Sequence, residues 1–175
     1  MNLAVTAIGR DRPGIVAGIT GALLEAGGNV DDSQMSILHG HFAVMLIVSV
    51  PDDTVSVDEL SLRLDEVGRE FGLGGISVSP VTTLERGAGP SHVLTVYGAD
   101  RPGIVHEVAE LLAARGVNIT DLRTRRTGDG ETSLYTMMME LAIESGPSEL
   151  ESDLRSLSDE KQVEVNLSPL DSEAL

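Results

Sequence analysis

Apolar and polar positions alternate at the start of the chain, with Leu3, Val5 and Ala7 on one face, and the pattern returns at Leu94 and Val96. This period of two predicts short strands over residues 2–8 and 92–98. After each, the period lengthens. Ile15, Ile19, Ala22, Leu23 and Ala26, and then Ile104, Val108, Leu111 and Leu112, recur at helical spacing. Gly27 and Gly116 stand where a left-handed helix end belongs. Second strands follow over Val30–Leu38 and Ile119–Thr127, with turns at His39-Gly40-His41 and Thr127–Thr132. Third strands follow over Phe42–Val50 and Leu134–Ile143. These are apolar on both faces, whereas a strand wetted on one side alternates, so the pattern predicts cover on the second face as well. The capping boxes Ser56-x-x-Glu59 and Ser148-x-x-Glu151 open second helices that carry Leu60, Leu64, Val67 and Phe71, and Leu150, Leu154 and Leu157. Fourth strands close the pattern at Ile76–Val81 and Val163–Leu170.

The two halves are copies of one unit. Gly9-Arg-Asp-Arg-Pro-Gly-Ile-Val16 returns as Gly98-Ala-Asp-Arg-Pro-Gly-Ile-Val105, an offset of 89. Over Gly9–Asp32 and Gly98–Asp121, 11 of 24 positions are identical, including Leu23/Leu112, Gly27/Gly116, Asn29/Asn118 and Asp32/Asp121. Ordinary residue frequencies give roughly one or two such matches. Each half has the order βαββαβ. The expected fold is therefore α+β, two ferredoxin-like units with antiparallel sheets and helices on one face of each. The expected domains are residues 1–82 and 92–175, joined by a linker over 83–91 with the loop composition Arg86-Gly-Ala-Gly-Pro90.

Charge narrows the function. Of 175 residues, 28 are acidic and 12 basic, a net charge of −16. Such a surface repels phosphate backbones, so no direct contact with nucleic acid is expected. With no cysteine there is no disulfide framework and no thiolate site. No stretch approaches the length of a membrane span and no signal peptide opens the chain, so a cytoplasmic protein without membrane contact is expected. Gly9–Gly14 has the spacing of the first part of a phosphate loop, but Ile15 and Val16 stand where that loop needs Lys and Ser/Thr. His39 and His41 have no third metal ligand in view and read as hairpin histidines. No nucleophile or acid–base pair has recognisable spacing. No catalytic residue, metal or cofactor is expected.

The repeated stretch has chemistry suited to a zwitterion. A helix opening at Gly14 or Gly103 offers backbone N–H groups and a favourable dipole to a carboxylate. Asp11 or Asp100 can accept from an ammonium, and Asn29 or Asn118, read as lying beside the same end of the sheet, can both donate and accept. Pro13 and Pro102 suit the first helical turn. The same residues fit ordinary turn and helix-entry roles. His106 replaces Ala17 in the second copy, and Arg123, Arg125 and Arg126 form the basic cluster, read as local compensation in an acidic protein.

A βαββαβ unit with Asp-Arg-Pro-Gly-Ile-Val after its first strand and Gly-x-Asn-Val/Ile entering its second resembles the ACT domain, and the resemblance covers both halves. Two such units together are similar to the tandem ACT regulators of the glycine cleavage system transcriptional repressor family. The resemblance implies ligand sites between paired domains. By position they are built from Asp11, Arg12, Pro13, Gly14, Ile15, Val16, Asn29 and Val30, and from Asp100, Arg101, Pro102, Gly103, Ile104, Val105, Asn118 and Ile119. Ile15, Val16, Ile104 and Val105 would wall them. The implied ligand is an amino acid, with glycine or serine the first guess. The implied protein is a regulator, not an enzyme, that acts on a protein partner, with a homodimer expected. The other reading is a constitutive adaptor, or a detached regulatory subunit of an amino-acid enzyme, with no ligand.

Overall fold

The computed structural model describes residues 1–84, 87–128, 133–144 and 147–170. The chain forms two compact units, Met1–Glu85 and Arg86–Leu175. The first contains β1 (Asn2–Arg10), α1 (Ile15–Glu25), β2 (Asn29–Leu38), β3 (His41–Ser49), α2 (Val57–Phe71) and β4 (Leu73–Val81). The second repeats the order with β5 (His92–Ala99), α3 (Ile104–Ala114), β6 (Asn118–Thr127), β7 (Leu134–Ala142), α4 (Ser148–Lys161) and β8 (Glu164–Pro169). The sheets run β2-β3-β1-β4 and β6-β7-β5-β8, with every paired strand antiparallel. The expected α+β class and ferredoxin-like order are both present. The second hairpin's turn at Asp129–Thr132, Arg86 of the expected linker and residues 171–175 lie outside the described residues.

Alternation along the strands decides what each core contains. Leu3, Val5 and Ala7 turn to the helices, as do Phe42, Val44, Leu46 and Val48. They meet Ile15, Ile19 and Leu23 of α1 and Leu60 and Leu64 of α2. In the second unit Leu94 and Val96 meet Met137, Met139 and Leu141, closed by Val108, Leu112, Leu150 and Leu154. No polar side chain is buried among the described residues, so each core is held by apolar burial, about 1.5–3 kcal/mol per large side chain. Ala43, Met45 and Ile47 point to the opposite face of the first sheet, which accounts for the doubly apolar third strand.

Local chemistry explains most element ends. Gly27 (φ 72°) and Gly116 (φ 67°) take the left-handed conformation expected of them. His39 (φ 49°) and Gly40 (φ 78°) form the two-residue hairpin loop between Leu38 and His41, which pair directly. The Ser56 side chain accepts from the Glu59 N–H at 3.2 Å, as a capping box requires.

Three expectations are corrected. Ser148 does not cap α4: Pro147 is the N-cap, and the Glu151 N–H donates to the Pro147 carbonyl. Pro13 and Pro102 lie outside the first helical turn, because Gly14 and Gly103 are the N-caps and the helices begin at Ile15 and Ile104. β4 starts at Leu73 rather than Ile76, since Gly75 pairs with Ile8 and Leu73 with Gly9, with Gly74 at the register shift between them.

Candidate functional site

Each repeated motif leaves its first strand, turns and starts a helix. The left-handed N-cap conformation of Gly14 (φ 99°) and Gly103 (φ 98°) makes the turn, and a side chain there is strained. Gly9 and Gly98 serve a different need. A Cβ on either would fall 2.7 Å from Leu73 or Val163, where the chain entering the fourth strand crosses closely. The Asp11 N–H donates to the Gly40 carbonyl at 2.9 Å, which ties the first turn to the β2–β3 hairpin.

Neither α1 nor α3 has a side-chain cap, and the first intrahelical bonds run from Gly18 N–H to the Gly14 carbonyl and from Glu107 N–H to the Gly103 carbonyl. The N–H groups ahead of Gly18 and Glu107 therefore have no partner within the helix, which suits an anion. Beside each helix start is an open cleft, of about 510 Å³ in the first unit and about 420 Å³ in the second. Asp11, Val16, Ala17, Thr20, Met35 and Phe42 line the first. Asp100, Val105, His106, Ala109 and Tyr135 line the second. Thr20, Met35, Phe42 and Tyr135 were not among the sequence-based candidates. Phe42 and Tyr135 hold equivalent places in the two units, opposite Ile37 and Arg126, and no sequence pattern marked Thr20 or Met35.

The candidate residues divide into groups. Asp11, Gly14 and Val16, and their counterparts, come together at the clefts. Ile15 and Ile104 also border them, but their side chains are buried in the cores. The motif arginine ties the turn to the second helix. Arg101 Nη1 donates to the Lys161 carbonyl at 3.0 Å, at the carbonyl end of α4, where a cation is favoured. Arg12 lies close to Gly72, the corresponding C-cap of α2.

Asn29, Val30, Asn118 and Ile119 are at the wrong end of their own sheets, which corrects the expectation that the amide lies beside the turn. Arg10 pairs with His41 and His41 with Leu38, so the turn is at that end. Asn29 pairs with Ser49, which pairs with Asn2, the opposite end of β1. Asn118 pairs with Ala142 at the equivalent place. The reason is the direction of α1, whose eleven residues carry the chain back about 16 Å before β2 begins. Asn29 Nδ2 instead donates to Asp31 Oδ1 at 2.8 Å, and Asp31 occupies the bulge between Val30 and Asp32.

The two clefts are unlike in charge. Arg126 Nη1 lies 3.4 Å from Asp100 Oδ2, and Arg123 pairs with Asp121 at 2.9 Å, so two of the three clustered arginines compensate nearby acids. Glu107, in the first turn of α3, pairs with Lys161 at 2.9 Å. The Glu107 hydrogen bond is the main cause of a raised Lys161 pKa, with Glu160 adding to it. Gly18 holds the Glu107 position in the first unit, and α1 has no acidic residue in its first turn.

Two βαββαβ units, each presenting the same turn, uncapped helix start and cleft, define a duplicated ferredoxin-like module. The chain belongs to the ACT domain family, whose pattern matches residues 2–75 and again residues 92–159. It is 42% identical to a UPF0237 protein of Methanopyrus kandleri over 39% of this chain and 77% of that protein. It is 32% identical to the glycine cleavage system transcriptional repressor of Escherichia coli over 70% of this chain, and the match spans 64% of the repressor's length. The crystal structure of an unknown protein from Galdieria sulphuraria superposes with a TM-score of 0.81 at 26% identity, covering 97% of this chain and 98% of that one. The protein is a tandem ACT regulatory protein. No described helix is long and apolar enough to cross a membrane.

Proposed function

We propose that the protein is an amino-acid-responsive regulator that works in the cytoplasm through a protein partner. The observation that carries this reading is the juxtaposition at Asp11 and Gly14. A carboxylate able to accept from an ammonium precedes a helix start whose N–H groups have no side-chain cap and can receive a carboxylate. Glycine and serine are the first ligands to test, because a relative of the chain is named for the glycine cleavage system. The relative named as a glycine cleavage system transcriptional repressor supports a role in transcription. With a net charge of −16, that role is exercised through a protein rather than by gripping DNA.

The amide of the site comes from a second copy of the chain. β2 is an edge strand, exposed along its whole length, with Met35 and Ile37 about half exposed. Antiparallel pairing of two β2 edges about a two-fold axis sets the Leu38 end of one beside the Asn29 end of the other. Asn29 of one copy then meets the Asp11–Gly14 turn of its partner. Binding at such a junction favours one pairing over another, which is the differential affinity that a switch needs.

Titration calorimetry with the twenty amino acids tests this. Heat with a small amino acid, lost in Asn29→Ala, is expected. No heat and no thermal shift with any of them would leave a constitutive adaptor and sink the sensor. Full affinity in Asn29→Ala would remove the amide from the site.

A further inference from the structure

The two copies of the motif have diverged where a zwitterion has to be held. In the first unit Asp11 forms no ion pair among the described residues, and the position under its helix start is Gly18. In the second, both ends of the expected ligand meet the protein's own charges. Asp100 already faces the Arg126 guanidinium at 3.4 Å. Glu107 sits in the first turn of α3, so near the turn that a Cβ on Gly103 would lie 3.8 Å from its Oε1. A ligand ammonium therefore competes with Arg126 for Asp100, while its carboxylate approaches the helix start where Glu107 stands, a carboxylate that Lys161 already holds at 2.9 Å. The residues that do this, Arg126 and Glu107, replace Ile37 and Gly18 of the first unit at the offset of 89.

We propose that the two clefts are unequal: the Asp11 cleft takes the amino acid, and Arg126 and Glu107 keep the Asp100 cleft closed to it. Arg126 and Glu107 are thus specificity-determining residues that limit each chain to one ligand. This inference rests on the amino-acid reading of the turn, and its own failure is distinguishable from the failure of that reading.

The test is calorimetric stoichiometry with glycine and with serine, on the full chain. Wild type is expected to bind one ligand per chain, and Asp11→Ala none. The double variant Arg126→Gln/Glu107→Gln is expected to bind two, with circular dichroism confirming that it stays folded. Glu107→Gln keeps side-chain length, and Arg126 is exposed, so the single variant Arg126→Gln is a second check if the pair is unstable. It is expected to gain a weaker second site. Two equal sites in wild type would overturn the inference and leave the sensor intact. So would one undiminished site in Asp11→Ala, or an Arg126→Gln chain that loses heat, which would make Arg126 the holder of the ligand carboxylate. One site remaining in the double variant would remove Arg126 and Glu107 from the role. No heat in any form would overturn both readings together.

Discussion

Phe71 lies against Gly18, with its ring so near that a Cβ on Gly18 would fall 2.7 Å from Cε2. The same ring approaches Gly14, where a Cβ would fall 3.1 Å from Cε1. An aromatic edge therefore supports the first Pro-Gly turn. At the matching place in the second unit, the last residue of α4 is Lys161 and it pairs with Glu107. One unit holds its turn by packing and the other by an ion pair. The difference gives the two turns different sensitivities.

Gly18→Ala is expected to destabilise the first unit, although alanine is the better helix former by about 1 kcal/mol. The added methyl meets Phe71 and, at 3.1 Å, Val67 Cγ1, both on α2. Overpacking of this kind costs about 1–3 kcal/mol, so the clash outweighs the propensity gain. Urea denaturation should show a lower midpoint with an unchanged slope. The pair Gly18→Ala/Phe71→Leu should recover part of the loss. A raised midpoint in the single variant would mean that the ring moves aside freely.

The two second helices give a paired test of capping. Ser56 caps α2, so Ser56→Ala should lower stability by about 1 kcal/mol. Ser148 is already inside α4 and its side chain caps nothing, so Ser148→Ala should change stability by less than about 0.5 kcal/mol. Equal losses from the two would mean that the sequence box is formed in both.

The order of elements was legible because period, glycine and proline agree in two copies of the chain. Gly27 and Gly116 mark helix ends by a conformation that other residues resist, and Leu3, Val5 and Ala7 mark a face by period alone. The site was less legible. That Asn29 and Asn118 stand at matched distances from Asp11 and Asp100 says that each pair keeps one relation, not that its members touch. The direction of α1 decides that, and it carries Asn29 to the far end of the sheet. Ser148 shows the same limit on a smaller scale. The box spacing is present, but the helix starts one residue early, at a Pro147 N-cap. The opposition of Gly18–Phe71 to Glu107–Lys161 links α1 to α2 and α3 to α4, and no local pattern announces a contact between elements so far apart in the chain.

The ion pair predicts an alkaline dependence confined to Lys161. Glu107, and after it Glu160, raise its pKa in the folded chain above the ordinary lysine value of 10.5. A raised folded value means that the folded chain holds this proton more tightly than the unfolded one. The resulting stability is complete below the unfolded value and disappears as pH climbs through the folded value. Melting temperatures of wild type and Lys161→Met should therefore differ by a constant amount from neutral pH to about pH 10 and converge above it. Added salt at neutral pH should narrow the same difference, since the pair is about one-third exposed. A gap that persists unchanged above the lysine range would assign the stabilisation to the Lys161 stem and not to its charge.

The β2 edge supplies the last prediction. Met35 and Ile37 face the helix side of the sheet at its edge, yet each is about half exposed, and Val16 beside them is 46% exposed. An edge with apolar side chains near its Leu38 end and no protecting lysine is open to pairing. In the antiparallel pairing of two β2 edges, position 37 of one copy lies opposite Val30 of the other, next to Asp31 and Asp32, so an acid placed there meets carboxylates of the second copy. Ile37→Glu is expected to leave the fold intact, because the position is exposed, and to shift sedimentation from dimer to monomer. If the amide of the ligand site is supplied by the second copy, the same substitution must weaken amino-acid binding at least tenfold and restore it as protein concentration rises. A monomeric Ile37→Glu chain that binds with full affinity would separate the site from the dimer.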